Sequence, residues 1–238
     1  SDFKLIVKRF YGSIVNIIEK ISPEDNVYNL KLDIIENCLY GSDIQSIAAQ
    51  ITKLRFFISL ICDCEKDASK PNFGIPTLPN LETKFVTADS LIARKKGKMV
   101  QGNIFIDTQI RDIKKELIEC RKQHFKATSP YKKNKLRDLD AYLRSQLTDL
   151  LSQGYESELG AEQLAAWNPY DQNKGAGFFD PEWMFGVEDG FDIVIGNPPY
   201  IQLQNNGGEL AKKYESCEYN TFARTGDMYC LFYERGWQ

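Results

Sequence analysis

The sequence is poor in several features that would point to particular classes of protein. It has a single histidine, His124, in 238 residues, and its six cysteines lack the paired spacing that binds zinc. No apolar run is long enough to span a bilayer, and no signal peptide opens the chain. These absences argue against a metal site, a membrane segment and a secreted disulfide scaffold. They predict a cytoplasmic protein with reduced thiols.

An excess of positive charge is also missing. Lysine and arginine total 30 and the two acids total 33, which gives a formal net charge of −3. Proteins that bind nucleic acid on their own usually carry a basic face. The composition, 42% hydrophobic and 26% charged, is otherwise that of an ordinary globular protein. We therefore expect a folded domain whose main contacts with any nucleic acid lie outside this chain.

The sequence does contain an unusual tetrapeptide after an apolar strand. Residues 191–196 predict a buried strand, and Asn197, Pro198, Pro199 and Tyr200 follow it directly. Ligands of open α/β sheets bind beyond the carboxyl ends of strands. Two prolines remove two backbone donors, so this turn offers the Asn197 side-chain oxygen and the Pro198 carbonyl as acceptors. Tyr200 adds a ring for stacking, which suits a flat substrate with an NH2 group. The simpler alternative is a proline-terminated strand followed by a loop.

These four residues, Asn197 to Tyr200, resemble the catalytic motif of S-adenosylmethionine-dependent amino-methyltransferases, above all the N6-adenine-specific DNA methyltransferases of bacterial restriction–modification or phage-exclusion systems. The resemblance implies that the whole enzyme flips an adenine out of double-stranded DNA and stacks it on Tyr200. Asn197 and Pro198 would hold its amine while S-adenosylmethionine donates the methyl group. Protein-glutamine N5-methyltransferases use the same tetrapeptide, although the long insertion described below argues against them. A catalytically inactive structural or DNA-docking module is a third alternative.

Two acids follow predicted strands at positions where this family binds its cofactor. Asp43 resembles the acid that takes the ribose hydroxyls, and Ile44 resembles the apolar residue that lies against the cofactor adenine. Asp89 and Ser90 end the next predicted strand, where the resemblance implies that Asp89 accepts a hydrogen bond from the exocyclic amine of the cofactor. Each acid has a simpler alternative, which is a helix cap for Asp43 and a turn or helix cap for Asp89.

A long insertion separates the second acid from the tetrapeptide. Isoleucine and leucine recur at three- and four-residue steps on either side of Pro130, which predicts an antiparallel helical hairpin. The tip of the hairpin, residues 121–137, is basic and contains no acid. A solvated hairpin end is one interpretation, and contact with DNA phosphates is the other. The residues that would make this contact are Lys126, Lys132, Lys133, Lys135 and Arg137.

Together these segments predict an α/β fold, a partial Rossmann-like sheet of the S-adenosylmethionine-dependent methyltransferase type with an inserted α-helical hairpin. We divide the chain into an N-terminal part of the methyltransferase core (residues 1–103), the hairpin (104–153), and an aromatic approach loop with the catalytic motif (154–238). An Asn-Pro-Tyr sequence at residues 168–170 echoes the tetrapeptide, but no strand precedes it and we expect a loop. The polar segment after Tyr200 also predicts a mobile loop.

The glycine-rich cofactor turn of the family is missing. The Gly-x-Gly at residues 175–177 has no strand before it. The chain therefore resembles an internal fragment of a family member, which implies weak or absent binding of S-adenosylmethionine. In the family, the absent first strand separates the strands that end at Asp43 and Gly196. We expect these strands to pair directly, to be partly disordered, or to self-associate through exposed edges. Apolar spacing from Phe3 to Ile21 predicts a first helix.

Overall fold

Short strands alternate with longer helices in a computed structural model of the protein, which describes residues 4–7, 27–94, 104–153 and 158–238. The strands are β1 (Lys4–Val7), β2 (Leu39–Asp43), β3 (Phe85–Thr87) and β4 (Ile193–Ile195). The helices are α1 (Val27–Asn37), α2 (Ser46–Cys62), α3 (Ile104–Lys126), α4 (Pro130–Ser152), α5 (Glu158–Ala166), α6 (Pro181–Phe185), α7 (Asn205–Glu215) and α8 (Met228–Trp237). A 3₁₀ turn spans Pro71–Gly74. This mixture of helices and strands confirms the predicted α/β class.

The four strands form one mixed sheet in the order β3-β2-β1-β4. Strands β2 and β3 are parallel, whereas β1 is antiparallel to both of its neighbours, β2 and β4. Because β2 and β4 both oppose β1, they run in the same direction as each other. The carboxyl ends of β2, β3 and β4 therefore meet at one edge of the sheet, which is the edge that carries the candidate site.

Strand β1 corrects two predictions. The helix predicted from Phe3 to Ile21 is wrong at residues 4–7, and residues 8–26 lie outside the described part of the chain. Three consecutive apolar residues, Leu5 to Val7, suit a buried strand as well as a helix, and the strand is the form observed. Direct pairing of the strands that end at Asp43 and Gly196 is also wrong, because β1 lies between them.

Helix α2 follows β2, and apart from the buried Leu60 most of its branched apolar residues do not face the sheet. The buried side carries Leu60 and four smaller or polar residues: Ala48, Ala49, Thr52 and Lys53. The outer side is apolar, and its residues are between 41% and 62% exposed: Ile47, Ile51, Leu54, Ile58 and Ile61. The apolar periodicity thus locates the helix correctly and does not identify its buried face.

The predicted helical hairpin is present as α3 and α4. Helix α4 begins at Pro130, and the Ser129 hydroxyl oxygen accepts a hydrogen bond from the Lys132 amide at 3.2 Å, which caps the helix. The two helices pack through the positions that the sequence spacing indicated, namely Leu117, Cys120, Leu136 and Leu143. Proline at the first turn and the apolar repeat were therefore sufficient to predict both helices.

The segment between the hairpin and β4 contains helices α5 and α6, and most of its described aromatic residues are buried. They form the largest core cluster together with Leu147 and Trp167: Phe178, Phe179, Trp183 and Phe185. The chain also runs beside the end of β3, where the Ala176 amide donates to the Thr87 carbonyl at 2.8 Å. A Cβ at Gly175 would lie 2.7 Å from Thr87 Cγ2, so this glycine permits the close approach. The aromatic segment therefore packs beside β3, an edge strand of the sheet.

The polar segment after Tyr200 forms helix α7 instead of the predicted loop. A few apolar residues within it, including Ala211 and Tyr214, pack against Leu91 and Leu231 to form a second core cluster. The burial of these side chains stabilises the helix despite its polar composition and the left-handed backbone at Gly207 and its neighbours. Across the described ranges, no helix combines the length and apolar character that crossing a lipid bilayer requires.

Candidate active site at the carboxyl edge of the sheet

The register of the sheet brings two of the predicted site residues, Asp43 and Asn197, to the same level along the strand direction. Leu5 of β1 lies opposite Gly41 of β2 on one side and opposite Ile195 of β4 on the other. Two residues further along each strand direction, Asp43 and Asn197 are therefore level with each other. Neighbouring strands are about 4.8 Å apart, so roughly 10 Å separates the two positions across β1.

Asn197 and Tyr200 present their side chains to solvent. Asn197 is exposed, and its amide makes no hydrogen bond with the described residues. Pro198 and Pro199 are half-buried and supply no backbone donor. The Tyr200 ring is 82% exposed, and its centroid lies 6.1 Å from that of Tyr229 in α8. The turn therefore combines acceptor groups with an accessible aromatic face.

A cavity of about 290 Å³ lies between this turn and helix α8. Asn197 and Pro198 form one wall, and Tyr233 and Trp237 form part of the other. Trp237 is 92% exposed and follows Tyr233 by four residues, so both rings lie on one face of α8. The sequence analysis missed this face, although the four-residue spacing of aromatic residues from Tyr229 onward was a usable signal.

Asp43 and Ser90 lie at the ends of adjacent strands and are buried. The Asp43 carboxylate accepts a hydrogen bond from the Gln45 amide at 2.7 Å, and Gln45, not Asp43, is the N-cap residue of α2. Ile44 is 58% exposed beside this buried carboxylate. The Ser90 hydroxyl lies 3.0 Å from the Ser42 hydroxyl, and this contact links the loop after β3 to β2.

Asp89 is also buried, but donors of this chain already surround its carboxylate. Oδ2 accepts from the Lys213 ammonium at 2.6 Å and from the Tyr214 hydroxyl at 3.1 Å, while Oδ1 accepts from the Leu91 amide at 3.1 Å. Burial and then the Asp89 charge raise the pKa of Tyr214. The sequence analysis missed both partners, since they lie in α7, far along the chain from Asp89.

Comparison with known proteins identifies the family of the chain. The model of the Eco57I restriction-modification methylase family matches residues 37–238, a stretch that contains Asp43, Asp89 and Asn197. The chain belongs to this family.

One relative is several times longer than this chain. A protein of Methanocaldococcus jannaschii, described as a candidate type II restriction enzyme and methyltransferase, is 25% identical over 259 aligned positions. The alignment covers 85% of this chain and 21% of that protein, so the chain spans about a fifth of the length of this relative. No solved structure matches the chain.

The basic residues predicted to bind DNA have different surroundings in this family member. Lys126 forms an ion pair with Glu36 at 2.8 Å, which raises the pKa of Lys126, and Arg137 forms one with Glu82 at 3.0 Å. Lys133 is half-buried, and two further lysines are exposed: Lys132 and Lys135. No ion pair joins these three lysines to another described residue.

The hairpin tip also lies away from the tetrapeptide. The Asn80 amide donates to the backbone carbonyls of His124, at 2.7 Å, and Ala127, at 2.8 Å. Asn80 belongs to the segment that leads into the amino end of β3, whereas Asn197 follows the carboxyl end of β4. The structure therefore does not bring the five basic candidates together with Asn197.

A separate group of charged residues is buried inside the hairpin. Asp140 is fully buried and accepts from Arg121 Nε at 2.8 Å and from Arg144 Nε at 2.6 Å. Burial alone would raise the pKa of Asp140, but the two guanidinium charges outweigh this effect and lower it. The sequence analysis assigned Arg121 to a basic surface, and the structure places it in the interior. Among the described residues, no cluster of histidine, cysteine and acidic side chains could hold a metal ion.

Proposed function

We propose that this chain is the base-holding part of a DNA methyltransferase. The intact enzyme would transfer a methyl group from S-adenosylmethionine to the N6 amine of an adenine flipped out of double-stranded DNA. The observation that supports this most is the exposed Asn197 side chain, level with buried Asp43 at the carboxyl edge of the sheet. Membership of a restriction-modification methylase family supports DNA as the substrate. The Rossmann-like core and the division at residues 104 and 154 belong to the same proposal.

The chemistry of the tetrapeptide follows from the adenine amine. This amine is conjugated with its ring and is therefore a poor nucleophile. Asn197 Oδ1 and the Pro198 carbonyl would each accept one of its N–H groups, which localises the lone pair on nitrogen and fixes its direction. Tyr200 would stack on the base and hold its plane. In this proposal the protein acts by positioning and electrostatics, without a covalent intermediate on the chain.

The cofactor candidates differ in how well they fit their expected roles. S-adenosylmethionine would supply an electrophilic methyl group on a sulfonium. Asp43 and Ile44 fit the ribose and adenine of the cofactor, because a buried carboxylate lies next to an exposed apolar side chain. Asp89 and Ser90 do not fit as they are placed, since Lys213, Tyr214 and Ser42 occupy their polar atoms. We therefore expect the isolated chain to bind S-adenosylmethionine weakly or undetectably by isothermal titration calorimetry, and tight binding would contradict this.

The contacts with DNA and with other copies are also part of the proposal. Lys132, Lys133 and Lys135 are the better candidates for phosphate contacts, because Lys126 and Arg137 are already paired with acids. Strand β4 is an edge of the sheet, and the exposure of Ile193 and Ile195 there supports self-association of the isolated chain. Action on cellular DNA would place the protein in the cytoplasm.

Product analysis with the intact protein tests the proposed reaction. Labelled S-adenosylmethionine is incubated with the protein and either duplex DNA or a protein translation release factor, and the products are digested and analysed by mass spectrometry. We expect N6-methyldeoxyadenosine from the DNA and no methylglutamine from the release factor. Methylglutamine would establish the glutamine methyltransferase alternative. Cofactor and DNA binding without any methylated product would establish an inactive docking module.

A further inference from the structure

A second cavity, of about 360 Å³, lies at the opposite edge of the sheet. It is bounded by the end of α1, the amino end of β2, the approach to β3, the carboxyl-terminal part of α3 and the end of α6. The lining residues that matter for its chemistry are Glu36, Tyr40, Lys84, Arg121, Lys122 and Phe185. Pockets that bind small molecules usually measure about 300–1,000 Å³. This cavity is separate from Asn197 and plays no part in the reaction proposed above.

The lining carries more positive than negative charge. It has three cations, Lys84, Arg121 and Lys122, and one acid, Glu36. The Glu36 carboxylate is already paired at 2.8 Å with Lys126, which is not part of the lining. Within the described ranges, no carboxylate lies at ion-pair distance from Lys84 or Lys122. The cavity is therefore an attractive environment for an anion.

Arg121 is buried, and one nitrogen of its guanidinium has no hydrogen-bond acceptor among the described residues. It is 7% exposed, and it donates through Nε to Asp140 at 2.8 Å and through Nη1 to the Trp183 carbonyl at 2.8 Å. Its Nη2 is buried and has no hydrogen-bond partner in the described part of the chain. Asp140 is shared with Arg144, so one carboxylate serves two guanidinium groups. Because buried N–H groups nearly always find an acceptor, Arg121 lacks one acceptor here.

Lys84 and two aromatic rings complete the wall. The Lys84 ammonium lies 4.1 Å from the centroid of the Tyr40 ring, and burial lowers the pKa of Lys84 to about 8. The Tyr40 and Phe185 rings have centroids 4.9 Å apart and planes inclined at 41°, and both line the same cavity. A lysine, a buried guanidinium and two aromatic rings thus line one cavity.

We infer that this cavity binds a small organic phosphate, with its phosphate group between Lys84 and Arg121 and its apolar body against Tyr40 and Phe185. A phosphate dianion balances two wall cations and has enough oxygens to accept from both, whereas a single carboxylate carries one charge. A free ester suits the site better than a duplex backbone, because Arg121 is buried and cannot reach a phosphate on the surface of a double helix.

Calorimetric titration of the 238-residue chain with phenyl phosphate tests the inference, with inorganic phosphate and a 12-base-pair duplex as separate arms. Lys84→Met removes one wall charge and keeps the side-chain length. Lys115→Met is the matched control, since Lys115 is exposed on the same helix as Arg121 and does not line the cavity. We expect Lys84→Met to weaken phenyl phosphate binding by about tenfold, Lys115→Met to change it by less than about twofold, and inorganic phosphate to bind more weakly than phenyl phosphate.

A second variant and a folding control complete the test. Lys122 is exposed at the cavity, so Lys122→Met should not disturb folding. This variant should weaken phenyl phosphate binding by about threefold. Circular dichroism melts would show whether Lys84→Met is folded. No binding of phenyl phosphate by the unmodified chain would overturn the inference, as would equal losses in Lys84→Met and Lys115→Met. If Lys84→Met weakened duplex binding alone, the assignment to a small ligand would be wrong.

Discussion

In the helical hairpin, polar side chains are buried and bonded to one another, whereas at the carboxyl edge of the sheet the candidate catalytic side chains are exposed and make few contacts. Asp140 is fully buried between two arginines, while Tyr200 is 82% exposed. A buried charge that loses its partner is costly, whereas an exposed side chain contributes little to folding. We therefore expect substitutions in the hairpin to lower stability, and substitutions at the carboxyl edge to lower activity.

The largest expected effect is on activity at the carboxyl edge. Asn197→Ala in the intact enzyme should reduce the methylation rate by about 10³-fold or more, because it removes an acceptor for the developing charge on the amine. The affinity for S-adenosylmethionine should stay nearly unchanged. The matched control is Asn168→Ala in the Asn-Pro-Tyr sequence outside the site, which should retain the full rate. Retained methylation by Asn197→Ala would contradict the assignment of the tetrapeptide.

The next effect is on stability inside the hairpin. Asp140→Asn should lower the free energy of unfolding by about 3–5 kcal/mol, because it leaves Arg121 and Arg144 without their shared carboxylate. Asp138→Asn, an exposed change on the same helix, should cost less than about 0.5 kcal/mol. Urea unfolding followed by circular dichroism measures both. Similar losses in the two variants would show that the buried cluster has no special role.

Two glycines between α6 and β4 separate the cost of backbone strain from the cost of overpacking against the hairpin. Gly186 and Gly190 both have positive φ, 69° and 77°. A Cβ at Gly186 would lie 2.6 Å from Ile118 Cγ1 in the hairpin, whereas a Cβ at Gly190 would have no described non-neighbouring atom within 4 Å. Gly190→Ala should therefore cost about 1 kcal/mol for the left-handed backbone alone. Gly186→Ala should cost about 3 kcal/mol, since overpacking adds to the strain. Equal losses in thermal or urea unfolding would contradict the packing shown at Gly186.

The pH dependence of stability isolates Lys84. Its pKa is lowered to about 8 in the folded protein and returns to about 10.4 in the unfolded chain. Between these values the unfolded state binds more protons, so the contribution of Lys84 to stability grows as the pH rises. The difference in unfolding free energy between the unmodified chain and Lys84→Met should shift by about 1.5 kcal/mol in favour of the unmodified chain from pH 8 to pH 9.5. A constant difference across this range would show that Lys84 titrates normally.

The smallest expected effect is on stability at the carboxyl edge. Tyr200→Ala should change the free energy of unfolding by less than about 0.5 kcal/mol, since the ring is exposed. Tyr170→Ala is a useful contrast, because the Tyr170 ring packs 4.9 Å from His124 and 5.2 Å from Arg137. It should cost at least about 2 kcal/mol. Equal effects would remove the distinction between the two regions.

Sequence patterns located the elements whose signals are local. Proline and apolar spacing predicted the hairpin, and the strands that end near Asp43 and Asp89 were predicted from short apolar runs. Strand β1 was missed, because a run of four residues is too short to show a period and its position depends on pairing with β2 and β4. The interior position of Arg121 was missed for a similar reason, since it depends on Asp140 and on carbonyls of α6.

The candidate site was predicted in the same uneven way. Asn197 and Tyr200 were proposed because two prolines in a row after a strand are rare in sequence and restrict the backbone, and their role stays a prediction. The contacts of Asp89 with Lys213 and Tyr214 could not be found, because they join residues separated by more than a hundred positions. The exposed face of α2 was not predicted either, since periodicity gives the apolar side of a helix and not what covers it.

The most direct test of the account is whether the turn from Asn197 to Tyr200 receives an unstacked base. Once the target sequence of the intact protein has been mapped, a duplex with 2-aminopurine at the methylated position can be titrated with the unmodified protein and with Tyr200→Ala. We predict that fluorescence rises on binding as the base leaves the stack, and rises further in Tyr200→Ala because the quenching ring is gone. Tight binding of the duplex with unchanged 2-aminopurine fluorescence in both proteins would contradict the account.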